Sequence, residues 1–164
     1  MPQNKILRQR IPAVIKLKRA KAAEQFRGKL MNFQKEGLDF LLKSSGNALL
    51  ADEMGLGKTV QTLSYVSTEK QTFPVLIVAP LVTLKNWERE IEKFLKRKSR
   101  NGRIVELGNA LDLPKSDMYV INYELLLKRS EDIEKLGIRT IVCDEVHNLR
   151  SKTTQKYKAV KKLA

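Results

Sequence analysis

A chain of 164 residues with 42% hydrophobic content is long enough for one domain around a single buried core. Its apolar runs, such as residues 75–82, fall well short of the ~20 residues a membrane-spanning helix needs, and the start lacks a signal-peptide pattern. The single cysteine excludes an internal disulfide. The expected setting is therefore intracellular and soluble, with no membrane.

The net charge of +14 is uneven, with +8 in residues 1–30, +1 in residues 31–97 and +5 in residues 98–164. Basic charge clustered at both ends suits attraction to phosphate backbones. For residues 1–24 a solvated basic arm explains the charge equally well, and the lack of serine there speaks against a transit peptide. The expected division is a basic arm over 1–24 and a globular domain over 25–164. In chain order, Leu30, Phe33, Gly37, Phe40 and Leu41 recur at helical spacing and predict a helix ending near Ser44–Gly46. A short strand follows at 47–51, then a glycine-rich turn at 52–57 and a helix over 58–68. A buried strand is expected at 75–79, and an amphipathic helix over 84–98 with Leu84, Trp87, Ile91 and Leu95 on one side. Strands near 104–107 and 118–122, a helix around 124–135, a strand at 140–143 and a basic helix after Ser151 complete the series. Short apolar strands alternating with helices predict an α/β fold with a mostly parallel sheet covered on both faces. Cys143, inside an apolar run, is expected to be buried and reduced, with no catalytic role.

Asp52-Glu53-Met54-Gly55-Leu56-Gly57-Lys58-Thr59 lies between an apolar strand and a helix. A phosphate chain needs backbone N–H groups converging at a helix N-terminus, and Gly55 and Gly57 allow the close approach and unusual dihedrals that this requires. Lys58 would reach the β- and γ-phosphates and Thr59 would offer its hydroxyl to Mg²⁺, so ATP and Mg are the expected cofactors. The general phosphate-loop pattern has a glycine where this chain has Asp52. A second feature, Thr140-Ile141-Val142-Cys143-Asp144-Glu145-Val146-His147, is an apolar strand ending in two acids and a histidine. Asp144 would hold Mg²⁺ and Glu145 would orient and deprotonate the attacking water. An Asp-Glu pair after a strand is common by itself; the ordered pair of motifs, each at the carboxyl end of a strand, is much more specific.

Together these segments resemble the first RecA-like lobe of the Swi/Snf family within helicase superfamily two, over residues 30–163. The resemblance implies a RecA-like P-loop three-layer sandwich. It also implies that Gln34, in Leu30-Met31-Asn32-Phe33-Gln34-Lys35-Glu36-Gly37, hydrogen-bonds adenine, although Met31-Asn32 stands where relatives often have Arg-Pro. Asp52 to Thr59 is that family's usual phosphate loop. Residues 75–87 are similar to motif Ia, whose turn, including Pro80, Leu81 and Thr83, touches the DNA backbone in relatives; Trp87 is expected simply to pack in the core. Residues 119–124 are similar to motif Ib, which implies a strand-guiding contact at Asn122 and Tyr123, with asparagine where threonine is more usual. Asp144 to His147 is similar to a DEAH box with Val146 in place of alanine, and His147 would couple nucleotide state to the nucleic-acid path.

The implied function is the ATP-binding lobe of a motor ATPase on double-stranded DNA, with Glu145, Lys58 and Asp144 as catalytic groups. Relatives continue into a motif III and a second RecA-like lobe carrying an arginine finger, which is worth about 10³ to 10⁵ in rate. The segment alone is thus expected to hydrolyse ATP very slowly. Two alternatives stand beside it: an RNA helicase of the same superfamily, and a non-catalytic DNA- or protein-binding module on a degenerate nucleotide fold. For the lysines at 152, 156, 158, 161 and 162, a solvated helix face is favoured over phosphate contact. Oligomeric state is left open.

Overall fold

A computed structural model describes residues 26–44, 47–68, 72–95, 101–103, 105–107, 110–113 and 116–164. The expected basic arm at 1–24 lies outside the described residues. The helices are α1 (Asn32–Lys43), α2 (Lys58–Val66), α3 (Leu84–Phe94), α4 (Tyr123–Glu134) and α5 (Gln155–Leu163). The strands are β1 (Val75–Ala79), β2 (Asn101–Arg103), β3 (Val105–Leu107), β4 (Ala110–Asp112), β5 (Met118–Asn122) and β6 (Thr140–Cys143).

The main sheet has the order β2-β5-β1-β6 and is parallel throughout, with Ala79 beside Asn122 and Val78 beside Cys143. Every residue of β1 is buried, as a central strand covered on both faces requires. Side chains alternate across the sheet, so they form two cores. Val75, Ile77, Ala79, Met118 and Val120 face α2 and α3 through Leu63, Val66, Leu84, Trp87 and Ile91. Leu76, Val78, Tyr119 and Ile121 face α4 and α5 through Leu126, Ile133 and Ala159. The expected three layers are therefore present.

Three expectations change. Residues 47–51 form no strand: Leu49 is 60% exposed, and the segment finds no ladder partner among the described residues. An apolar run becomes a strand only where a neighbour accepts its peptide groups. The strand expected near 104–107 is β3, but it pairs antiparallel with β4 in a separate hairpin, and the preceding β2 takes the place in the main sheet. The buried face of α1 is also rotated from the one read off the spacing. Gln34, Leu38, Leu41 and Leu42 are inside, whereas Phe33 and Phe40 are 41% and 48% exposed. The cause is the close packing of α1 on α2 at Gly37, described below.

The helix ends follow local chemistry. The Asn122 side-chain oxygen accepts the Leu125 N–H at 2.7 Å and caps α4. Thr154 accepts the Tyr157 N–H at 3.3 Å and caps α5. Two lysines of α5 are engaged by acids of α4: Lys156 with Glu124 at 2.7 Å, and Lys162 with Glu134 at 3.4 Å. Glu124 is held below its usual carboxylate range by its hydrogen bond from Lys156. Among the described residues, no helix is long and apolar enough to cross a membrane.

Candidate nucleotide site

Because β1, β5 and β6 run parallel in register, their carboxyl ends share one edge of the sheet. Three segments emerge there: Pro80 and the tight turn Leu81–Thr83 from β1, Asn122 and Tyr123 from β5, and Asp144 onward from β6. The Asp144 N–H donates to the Val78 carbonyl at 2.9 Å, which extends the β6 ladder to the acid itself.

Asp144 is fixed from several sides. One carboxylate oxygen, Oδ2, accepts the Trp87 indole N–H at 2.9 Å, and Oδ1 accepts the Glu145 backbone N–H at 2.9 Å. The Tyr123 hydroxyl donates to the Asp144 carbonyl at 2.6 Å. Glu145 then turns into the left-handed region at φ 50°, a conformation that costs a residue with a side chain about 1–2 kcal/mol. Asn148 holds the turn, since its side-chain amide and its backbone N–H both donate to the Glu145 carbonyl, at 2.9 and 3.0 Å. The Glu145 carboxylate is left exposed at the edge and meets His147 Nδ1 at 3.2 Å. Cys143, one residue before, is half-buried, and burial pushes its thiol up to about 11 against a weaker opposing effect of a hydrogen bond with Tyr123. Burial also raises the Tyr123 hydroxyl well above its usual range, and that hydroxyl is the donor to the Asp144 carbonyl.

The phosphate loop precedes α2. Gly55 and Gly57 have φ of 85° and 74°, which side chains rarely adopt. A Cβ at Gly57 would also lie 2.6 Å from Gln34 Nε2, whereas nothing lies within 4 Å of one at Gly55, which leaves room above the loop. Lys58 sits at the first position of α2 with its ammonium folded back onto the loop, donating to the Asp52 and Glu53 carbonyls at 2.8 and 3.0 Å. Thr59 follows, half-buried, while Glu53 and Met54 are exposed and Leu56 is 38% exposed.

Gln34 is buried, and both ends of its amide are already engaged. Its oxygen accepts the Met31 N–H at 3.0 Å and its nitrogen donates to the Leu56 carbonyl at 3.3 Å. In this arrangement the residue ties the start of α1 to the phosphate loop.

Gln61, Trp87 and the Tyr123 hydroxyl were not singled out for these contacts from sequence. Gln61 is fully buried, donates to Asp52 Oδ2 at 2.9 Å, and so anchors the loop from below. A buried tryptophan must place its N–H on an acceptor, which was the available signal for Trp87; nothing in the sequence identified the acceptor as Asp144. Tyr123 is 1% exposed and the Asn122 side chain caps α4, so both side chains are engaged within the fold. Leu81 and Val82, by contrast, are 59% and 88% exposed on the turn after β1, with Pro80 and Thr83 half-buried beside them.

Among the described residues, no cluster of three or more histidine, cysteine or acidic side chains could hold a metal by itself. The donor set suits instead a hydrated Mg²⁺ that brings its own phosphate oxygens, because Mg²⁺ is usually bound by one or two protein oxygens plus substrate phosphates. Thr59 and Asp144 would be the protein oxygens to serve it, and Lys58 with the N-terminus of α2 would suit the phosphates. The residues present therefore fit a magnesium nucleotide.

Residues 33–164 match the family model described as the SNF2-related domain. The YwqA protein of Bacillus subtilis (strain 168) is 32% identical across 98% of this chain, which spans 19% of that relative. The DNA annealing helicase and endonuclease ZRANB3 of Bos taurus is 34% identical across 79% of this chain and 13% of its own length. The chain thus corresponds to a fifth or less of these relatives. A solved Sulfolobus solfataricus SWI2/SNF2 ATPase core in complex with dsDNA is similar in structure, with a TM-score of 0.72 at 31% identity over 84% of this chain and 30% of that one.

Proposed function

This chain belongs to the SNF2-related domain family, and from that premise we propose that it is the nucleotide-gripping lobe of an ATPase that moves along double-stranded DNA. The observation that carries the proposal is the pair Asp144-Glu145 at the carboxyl end of β6. One acid is fixed by Trp87 and the Glu145 amide, and the other is thrust out of the sheet by a left-handed turn. A structural acid has no need of such a turn, whereas a base that must reach an attacking water does.

Magnesium, held by Thr59 and Asp144, would neutralise phosphate charge when the nucleotide is bound. The chain's own residues do the rest. Lys58 exchanges the Asp52 and Glu53 carbonyls for phosphate oxygens, and Gly55 and Gly57 let the backbone amides at the start of α2 approach. Thr59 and Asp144 offer oxygens to the metal. Glu145 accepts the proton of the attacking water, with His147 against its carboxylate to orient it. Gln34 reads adenine by releasing the Met31 N–H or the Leu56 carbonyl, which links base recognition to the loop. Pro80, Leu81 and Thr83 guide the DNA backbone. A second RecA-like lobe in the same parent chain closes over the nucleotide and supplies an arginine. Work on DNA places the protein inside the cell.

Titration of the chain with a fluorescent ADP, with and without Mg²⁺, tests the grip. Lys58→Ala should weaken binding at least tenfold, and unchanged binding would favour the non-catalytic alternative. Comparing duplex DNA with RNA as activators of the parent protein's ATPase tests the track; stimulation by RNA alone would favour the RNA-helicase alternative.

A further inference from the structure

Trp87 lies one turn into α3, the helix that leaves the exposed turn Leu81–Thr83, and its ring is 3% exposed within the core shared with α2. Packing alone would not dictate where its N–H points. An indole N–H can only donate, and here it donates to Oδ2 of Asp144 across 57 positions of sequence. The other oxygen, Oδ1, takes the Glu145 amide. Each carboxylate oxygen thus has one protein donor, which fixes the rotamer, while about two of the roughly four lone-pair sites of the group stay available.

We propose that Trp87 is a positioning residue for Asp144: through its indole N–H it holds the carboxylate in the orientation that receives Mg²⁺, and it ties that orientation to α3. The inference rests on the reading of Asp144 as a metal ligand. Groups that orient a metal ligand change metal affinity by about 10- to 100-fold when removed. The same contact makes the indole a reporter, because Trp87 is the one tryptophan of the sequence.

The test uses the full chain and Trp87→Phe, which keeps an aromatic ring in the core and removes the donor. Fluorescent ADP is titrated at a series of Mg²⁺ concentrations and in EDTA, with melting by circular dichroism alongside. Trp87→Phe should raise the Mg²⁺ concentration for half-maximal enhancement of binding about tenfold and leave binding in EDTA within about twofold. An unchanged Mg²⁺ dependence in a folded Trp87→Phe protein overturns the inference and leaves the nucleotide site intact. An equal loss of binding in EDTA also overturns it, since that marks a packing defect. Should Trp87→Phe fail to fold, indole emission of the unaltered chain decides. With ADP bound, emission should change on addition of Mg²⁺ and not change in Asp144→Asn; no Mg²⁺ response, or one that persists in Asp144→Asn, overturns the inference. If the unaltered chain binds ADP without any Mg²⁺ dependence, the metal-ligand reading of Asp144 fails first and the inference falls with it.

Discussion

Gly37→Ala separates local helix preference from tertiary fit. In an exposed helix interior the change stabilises by about 1 kcal/mol. At this position of α1, however, the added Cβ would lie 1.7 Å from Gln61 Oε1 and 2.8 Å from its Cδ. Those atoms end a flexible side chain, but one that is 0% exposed and held to Asp52 Oδ2 at 2.9 Å, so it has nowhere to go. Overpacking costs about 1–3 kcal/mol. Losing a hydrogen bond to a charged acceptor costs about 1.5–3 kcal/mol. Set against the helix gain, the net destabilisation is about 1.5–5 kcal/mol, and a mid-range 3 kcal/mol lowers Tm by about 6–12 °C in a chain of this size. Thermal unfolding followed by circular dichroism measures it. Since the obstacle is a single side chain, Gly37→Ala should cost far less in a Gln61→Ala background, giving a coupling of about 1–3 kcal/mol in the double-mutant cycle. A rise in Tm for Gly37→Ala alone, or strict additivity, would refute this account of how α1 meets α2.

Glu145→Gly should be more stable than Glu145→Ala by about 1 kcal/mol, because only glycine takes the left-handed turn without strain, though both lose the carboxylate; denaturant midpoints compare them. Asn122→Ala should cost about 1 kcal/mol by removing the α4 cap, while Asn122→Thr, which keeps a capping oxygen, should lose less than half of that. Cys143 should react with iodoacetamide at pH 8 many times more slowly in the native chain than in denaturant. Its thiol stays protonated until about pH 11 when folded, against a usual value of 9.0. Equal rates would show that the β6 end is open.

What could be read from sequence was what local pattern determines. The run Val75-Leu76-Ile77-Val78-Ala79 announces a central strand because a parallel sheet demands apolar side chains on both faces. The glycines at 55 and 57 announce positive φ before any coordinate is known. Asn47–Ala51 misled because a strand also needs a partner, and partners are chosen by the fold. Phe33 and Phe40 misled for a related reason: the seating of α1 is set by Gly37 against Gln61, a contact between residues 24 apart. The partners of Asp144 lay out of reach altogether, since Trp87 and Tyr123 are brought to it by strand order. Of the lysines read as a solvated face, Lys156 and Lys162 also answer the acids of α4 at the surface.

β6 borders the main sheet, and among the described residues no strand lies beyond it. All four of its residues are half-buried, so an apolar ribbon runs directly into the two acids. Such a border is a template for another extended segment. A preparation of this chain should therefore grow stickier as it is concentrated. A strand laid along that border would also brace the carboxylate pair, so the stiffness of Asp144 and Glu145 depends on how that side of the sheet is finished.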